Sequence, residues 1–149
     1  MATYEVSTTG VGTTGAAAFE FMAGAAKPAS VLEMGIFLSA ATASKFVLGR
    51  PGNTPTTGTL ITATQPITLQ PSAGVSLGGL ITTGWGTAPT VPAAGNSQRT
   101  IGLAGAVGNG VVWNWAENEM VVSPTRSLSL VLWNPQTNGA PYVYVKWIE

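Results

Sequence analysis

Apolar and polar residues alternate with a period of two in several stretches of this chain. In residues 31–39, one face of the predicted strand carries Leu32, Met34, Ile36 and Leu38. The same alternation recurs in residues 111–115, 127–133 and 142–147. In the second of these the apolar face carries Leu128, Leu130 and Leu132, and in the third it carries Val143, Val145 and Trp147, opposite Tyr142, Tyr144 and Lys146. Because successive side chains of a strand point to opposite faces of a sheet, the pattern predicts four strands that each bury one face.

Shorter strand candidates are more numerous, and they lie at residues 4–8, 45–48, 60–63, 79–83, 99–103 and 120–122. Turn-forming pairs such as Asn109-Gly110 and Asn138-Gly139 separate strand candidates. The 19 glycines and 10 prolines are too many for a helical protein. Many short strands at this spacing predict an all-β fold, either a jelly-roll-like β-sandwich or a barrel, in a single domain over residues 1–149.

Two segments leave a choice open. Residues 16–26 are rich in helix formers and would suit a short helix, whereas a strand would put Phe19 and Phe21 inward and Glu20 outward. We favour the strand because the neighbouring segments are strands. Residues 1–15 are polar and rich in glycine, so we interpret them as a segment that can form an extended N-terminal arm and add a strand to a neighbour.

The chain contains no histidine, cysteine or aspartate, and its charged residues are six basic and six acidic ones among 149. Proton transfer near neutral pH usually relies on His, and covalent catalysis and metal binding draw mainly on Cys, His and Asp. We therefore expect no enzyme, and no catalytic, cofactor-binding or metal-binding residues. The composition favours a structural or binding protein.

The distribution of charge and hydropathy argues against two further classes of partner. The six basic residues are scattered and form no stripe, so we expect no nucleic-acid partner. No apolar run approaches the roughly 20 residues that span a bilayer, so we expect no membrane partner. The first ten residues have neither the basic nor the apolar region of a signal peptide.

The sparse charge has a consequence for assembly. A folded monomer of this mass exposes about 7,000 Å², which gives about one charge per 600 Å². An ordinary domain has roughly one per 190 Å². Because so few charges defend the surface against association, we expect other copies or a larger particle to cover much of it, and we predict a homotrimer.

Two motifs resemble catalytic or binding signatures. Residues 10–15 match the GxGxxG dinucleotide fingerprint, and Glu33 follows about 20 residues later. No crossover helix follows, however, so we interpret residues 10–15 as a glycine-rich surface loop. Glu117 and Glu119 form the closest pair of acids and could serve a glycosidase, but their surroundings indicate a solvated hairpin tip.

Aromatic residues supply the candidate interface. Most of the five tryptophans are expected in the core, Trp113 and Trp147 above all. Trp85 lies at a strand-to-loop boundary and is the best surface candidate, where it would suit either carbohydrate stacking or a protein interface. The candidate interface residues are Trp85, Tyr4, Arg50, Gly10 and Gly12.

Six segments carry a resemblance to a known type of protein: VLEMGI (31–36), LGRP (48–51), WGTAPT (85–90), GVVWNW (110–115), SLVLWN (129–134) and VYVKW (143–147). Together they resemble small β-rich structural proteins of tailed bacteriophages, of the kind that decorate or cement capsids. The resemblance extends from about residue 30 to the end of the chain, and its motifs are packing and turn elements.

The resemblance implies a jelly-roll or barrel-like fold, commonly trimeric, on the outer capsid lattice where capsid subunits meet. The implied partners are the major capsid protein and other copies of this chain, and the implied location is the virion surface after synthesis in the host cytoplasm. The implied mechanism is mechanical stabilisation of the phage head, with no catalytic residue and no cofactor. Alternative functions are a phage tail, baseplate or fibre component, and a carbohydrate-binding β-sandwich.

Overall fold

The computed structural model describes residues 3–13, 15–24, 27–57, 67–68, 80–91, 97–136 and 139–149. Within these residues the chain forms β-strands and one short 3₁₀ turn, η1 (Arg126–Leu128), and no α-helix. The prediction of an all-β fold is confirmed. Two antiparallel sheets make up the sandwich, and two further short strands pair in a small ribbon.

Sheet A contains six of the described strands. In order across the sheet these are β10 (Gly110–Asn114), β3 (Ala29–Leu38), β13 (Pro141–Ile148), β1 (Thr3–Thr9) and β6 (Ile67–Thr68), while β11 (Met120–Val122) also pairs with β3. The longest ladder joins β13 to β3, so the C-terminal strand lies in the middle of the sheet.

Sheet B contains five of the described strands. In order these are β7 (Leu80–Thr82), β2 (Ala16–Met22), β12 (Leu130–Asn134), β4 (Ser44–Gly49) and β9 (Ser97–Leu103). The ribbon pairs β5 (Thr56–Thr57) with β8 (Trp85–Thr87).

Eight of these strands are connected as a jelly roll. Sheet A has the order β1-β13-β3-β10 and sheet B has the order β2-β12-β4-β9. Strand β1 therefore pairs with β13 in sheet A, and β2 pairs with β12 in sheet B. The chain crosses between the sheets at most connections, which is how a double-sheet jelly roll encloses one core. The short strands β5 to β8 all belong to the long connection between β4 and β9.

The core lies between the two inner sheet faces, and Trp147 is at its centre. The Trp147 side chain is 0% exposed; its ring stacks on Tyr4 of the same sheet at 5.6 Å and packs against Phe21 of sheet B at 4.8 Å. Trp113 and Trp115 from β10 and the loop that follows are also buried in this cluster. The prediction that most tryptophans fill the core is confirmed.

Most strand predictions are confirmed, with small shifts at the ends. The choice of strand over helix for residues 16–26 is confirmed by β2, in which Phe19 and Phe21 point into the core. Residues 60–63, which were predicted to be a strand, lie outside the described residues, as does Gly79 at the start of the candidate 79–83. Leu128 was placed on the inner face of a strand, but it lies in η1 and is exposed.

The inward face of β3 differs from the prediction at its N-terminal end. The ladder with β13 pairs Lys146 with Glu33 and Trp147 with Val31, so Leu32 has no partner residue. This extra residue is a β-bulge, which reverses the alternation on one side of it. Val31 is therefore buried in the core in place of Leu32, which was predicted to point inward and is only half-buried.

The N-terminal segment is not a detached arm in this structure. Of residues 1–15, Thr3–Thr9 form β1, which pairs with β13 along seven residue pairs and with β6 on its other side. The alternating residues Tyr4 and Val6 are buried in the core. The strand that this segment was expected to add to a neighbour is thus added to its own sheet.

Trp147→Ala is expected to lower the free energy of unfolding by about 3–5 kcal/mol, because it leaves a large cavity between the sheets. Guanidinium chloride titration followed by far-UV circular dichroism measures this. Leu128→Ala is the matched control, since truncation of an exposed apolar side chain should change stability by less than about 0.5 kcal/mol. Equal losses in the two variants would contradict this account of the core.

Candidate interaction surfaces

The chain itself covers the outer face of sheet B. Outward-facing residues Ala17, Val47, Val131 and Trp133 form a second buried apolar cluster, and Trp85 of β8 packs against it. The Trp133 indole N–H donates a hydrogen bond to the Pro89 carbonyl at 3.2 Å. The segment from Trp85 to Pro89 therefore lies over this cluster and covers that part of the outer face of sheet B.

A buried ion pair helps to hold the segment that begins at Trp85 against sheet B. Glu20 points outward from β2, as predicted, yet its side chain is only 1% exposed. Its Oε2 accepts a hydrogen bond from the Trp85 indole N–H at 2.6 Å and pairs with the Arg126 guanidinium at 3.2 Å. Oε1 has no hydrogen-bond partner among the described residues. Because a buried carboxylate is costly unless it is paired, Glu20 holds Trp85 and η1 against sheet B.

Two of the five candidate interface residues make contacts inside the protein. Trp85 is half-buried, and its indole N–H is already donated to Glu20. The Arg50 guanidinium donates hydrogen bonds to the carbonyls of Leu128 and Val121, which ties the end of β4 to η1 and β11. Burial lowers the pKa of Arg50.

The other three candidates are packed closely within the fold. Tyr4 is 2% exposed beneath Trp147. A Cβ on Gly10 would lie 2.8 Å from the Ala18 carbonyl oxygen, and a Cβ on Gly12 would lie 2.6 Å from the Ala140 nitrogen. Both glycines therefore permit close backbone approach. The structure does not bring these five residues together into one exposed surface, and their role in an interface stays a prediction.

No described residue covers the outer face of sheet A, in contrast to the cluster around Trp133 on sheet B. The strand registers align its outward residues in cross-strand rows: Gly110, Phe37, Tyr142 and Thr9 in the first, Val112, Gly35, Tyr144 and Ser7 in the second, and Asn114, Glu33, Lys146 and Glu5 in the third. Tyr142 and Val112 are 53% and 41% exposed. We call Phe37, Tyr142 and Tyr144 the aromatic platform.

Glycines shape the aromatic platform. A Cβ on Gly35 would lie 2.0 Å from Cε1 of Tyr144, and a Cβ on Gly110 would lie 2.4 Å from Cδ1 of Phe37. Each ring thus leans over a glycine of the neighbouring strand. The two rings are nearly parallel, with an interplanar angle of 15° and centroids 6.3 Å apart. They are therefore two nearly parallel, half-buried rings on neighbouring strands of the outer face.

Polar groups border the aromatic platform on two sides. The Tyr144 hydroxyl donates a hydrogen bond to Oε1 of Glu33 at 2.6 Å. Desolvation first, and then the hydrogen bond to Glu33 and the charges of Glu33 and Glu5, raise the pKa of Tyr144 to about 12. On the other side, a groove of about 360 Å³ is lined by Ser7, Thr8 and Thr9 together with the aromatic platform.

A second unpartnered surface is the flank of the sandwich formed by β9 and β10. Among the described strands, β9 pairs with β4 alone and β10 pairs with β3 alone, so each is an edge strand. The stretch from Ser97 to Asn114 carries one charge, that of Arg99, whose guanidinium lies 4.9 Å from the centre of the Trp115 ring. We call this edge the β9–β10 flank.

Neither sequence motif forms a catalytic or phosphate-binding arrangement in the described residues. The loop at residues 10–15 leads into strand β2, and the N–H groups of Gly10, Val11 and Gly15 donate to backbone carbonyls. Glu117 and Glu119 lie in the exposed turn between β10 and β11, where Glu119 accepts a hydrogen bond from the Ala116 N–H. Both interpretations made from the sequence are consistent with these positions.

The described part of the chain contains no cluster of three or more His, Cys, Asp or Glu residues that could hold a metal ion. It also contains no helix long and apolar enough to cross a membrane.

Comparison of this chain with protein-family models, with curated proteins and with solved structures finds no match.

Sequence reasoning did not single out the aromatic platform. It placed Tyr142 and Tyr144 on the face of β13 opposite the core, which the structure confirms. The available signal was that this supposedly solvent-facing side carries two aromatic residues. Phe37 on the outward face of β3 gives the same signal, but only the strand register shows that the three side chains are neighbours.

Arg126→Met is expected to lower the free energy of unfolding by about 3 kcal/mol, because it leaves the Glu20 carboxylate buried without its cation. Urea titration measures the loss. The double variant Glu20→Leu/Arg126→Met removes both charges and should be more stable than Arg126→Met alone. If the double variant is the less stable of the two, the buried charge does not cause the loss.

Tyr144 should ionise near pH 12, and Glu33→Gln should shift its midpoint down towards 10, because the variant removes the nearest negative charge. Because the pKa is raised in the folded state, any stabilisation is complete below about pH 10 and is lost as the pH rises through 12. Tyrosinate absorbance measured across this range tests the shift, and Tyr144→Phe identifies which signal belongs to Tyr144. An unchanged midpoint in Glu33→Gln would contradict the proposed electrostatic coupling.

Proposed function

We propose that this protein is a structural subunit that binds the outer surface of a tailed-phage capsid and stabilises the head, with copies associated as a homotrimer. The observation that carries the proposal is the β9–β10 flank, a pair of sheet edges with a single charged residue and no described strand beside it. The jelly-roll topology and the resemblance of residues 30–149 to capsid decoration proteins support the same function.

An exposed sheet edge is a template for pairing with another chain. Proteins that remain alone usually protect such edges with lysines, prolines, bulges or a covering segment. In the β9–β10 flank the one charged side chain is turned onto an aromatic ring, and β9 contains neither lysine nor proline. Apart from a register shift at Gln98 in the ladder with β4, the described residues of β9 show none of these defences, and such an edge is suited to being covered in an assembly.

A closed ring would satisfy this requirement without open-ended growth. In a head-to-tail ring, each copy's flank contacts a different surface of the next copy, and a threefold ring buries one flank per subunit. The remaining neutral surface would then contact the capsid. Bound in this way to several capsid subunits at once, the protein would stabilise the assembled lattice by mass action.

The self-association is tested with Gly102→Lys in β9. A Cβ on Gly102 would meet no atom within 4 Å, so the lysine adds a charge to the flank without a steric clash. Light scattering should give about three times the 15.2 kDa chain mass for the unmodified protein and a single chain mass for the variant. Ser7→Lys, which adds the same charge on the outer face of sheet A, is the matched control and should remain trimeric.

Capsid binding is tested by co-sedimentation with purified expanded phage heads and, in parallel, with purified tails. We expect the protein to sediment with heads at a saturating stoichiometry and not with tails, and Gly102→Lys to bind heads more weakly. Binding to tails alone would instead support a tail, baseplate or fibre component. A protein that stays monomeric in solution and binds neither particle would overturn the proposal.

A further inference from the structure

The aromatic platform is separate from the β9–β10 flank on which the proposed self-association rests. It lies on the outer face of sheet A, whereas the β9–β10 flank lies along the sheet edges. Exposed aromatic rings cost solvation free energy, and a contiguous apolar surface bordered by polar groups usually marks a binding site. Here the fold places a glycine beneath each of two half-buried rings, Phe37 and Tyr144, and leaves Tyr142 53% exposed beside them.

We propose that the aromatic platform binds a neutral oligosaccharide. The face of an aromatic ring carries the negative part of its quadrupole, and it attracts the weakly positive C–H groups on one face of a pyranose ring. Tyr144 and Phe37 are nearly parallel at 6.3 Å, and Tyr142 faces Phe37 across the ladder. Such adjacent flat rings would stack on successive sugar units of an extended chain.

The polar groups around the aromatic platform match the other requirement of a sugar, which is hydrogen bonding to its hydroxyls. Ser7, Thr8 and Thr9 line the groove on one side, and the outward-facing Ser7 and Thr9 each provide a hydroxyl that can donate or accept. On the other side Glu33 holds the Tyr144 hydroxyl in place. At about 360 Å³ the groove has the size of a small-ligand site.

The charges near the aromatic platform indicate a neutral ligand rather than an acidic one. The neighbouring row contains Glu5, Glu33 and Lys146, which gives one net negative charge. This balance disfavours polyanions such as nucleic acids and uronic-acid polymers, which require basic residues. A neutral polyhydroxyl chain meets no such electrostatic cost. The occupant inferred is therefore a neutral glycan and not an acidic polymer.

This inference assigns a different site from the one that the sequence suggested for carbohydrate. Trp85 was the candidate for stacking, but its ring packs on sheet B and its N–H is bound by Glu20. The residues that carry the present inference lie on the opposite side of the sandwich. Variants at Trp85 and variants of the aromatic platform therefore separate the two sites.

The test is a titration calorimetry screen of the full chain with cellohexaose, maltohexaose, xylohexaose, mannohexaose and chitohexaose, with oligogalacturonate as the acidic comparison. We expect at least one neutral oligosaccharide to bind with a Kd in the millimolar range or tighter, and oligogalacturonate not to bind. Tyr142→Ala should weaken that binding about tenfold, because it removes one stacking surface. Its side chain is largely exposed, so the variant should fold normally.

Gly35→Ala provides a second, independent variant. The added methyl group would displace the Tyr144 ring from its flat position, so binding should weaken although no aromatic residue is removed. Val121→Ala, on the outer side of β11, is the control and should leave the Kd unchanged. Circular dichroism and thermal unfolding verify that each variant is folded.

Failure of all five neutral oligosaccharides to bind at 10 millimolar, roughly the weakest affinity of interest, would overturn the inference. Equal binding by the unmodified protein and Tyr142→Ala would overturn it as well, as would a preference for oligogalacturonate. Loss of oligomers in Tyr142→Ala, seen by light scattering, would show instead that a second copy of the chain occupies the aromatic platform. Head binding is measured separately by co-sedimentation, so its failure can be distinguished from a failure of these titrations.

Discussion

The two inner sheet faces pack against each other around Trp147, and the other features of the molecule depend on this contact. Trp147 touches Tyr4 within sheet A and Phe21 across the core, so it joins the first, second and last strands of the jelly roll. With no cysteine in the chain, no disulfide can replace this packing. The sandwich therefore depends on apolar burial and on its strand ladders, and its outer faces are free to differ from one another.

The two outer faces differ because the described chain covers one of them and not the other. The long connection between β4 and β9 folds back over sheet B, where Trp85 and Pro89 cover Trp133 and the Glu20–Arg126 pair holds the cover in place. Among the described residues, sheet A has no equivalent cover over the aromatic platform. This asymmetry leaves one face and one flank of the sandwich for binding, and the two proposals assign them separate roles.

The small number of charged residues is consistent with a surface that is partly covered in an assembly. A surface with few charges gives little protection against association, and this lack is most consequential at the β9–β10 flank, where no described strand pairs with the outer edges of β9 and β10. The three arginines make internal contacts. Arg50 binds carbonyls, Arg99 lies on Trp115, and Arg126 neutralises a buried carboxylate.

Much of the fold could be predicted from the chain itself, since a period of two identifies strands and their inward residues from neighbours in sequence. Met34, Ile36, Val143 and Val145 were placed correctly for this reason. Leu32 was not, because a β-bulge arises from pairing with a strand more than 100 residues away. The same limit applies to the aromatic platform. The sequence by itself determined that Tyr142 and Tyr144 point away from the core. Only the tertiary structure decided that these residues lie beside Phe37 and over glycines, and that the described chain covers sheet B rather than sheet A. The reason is that cross-strand neighbours come from distant parts of the chain.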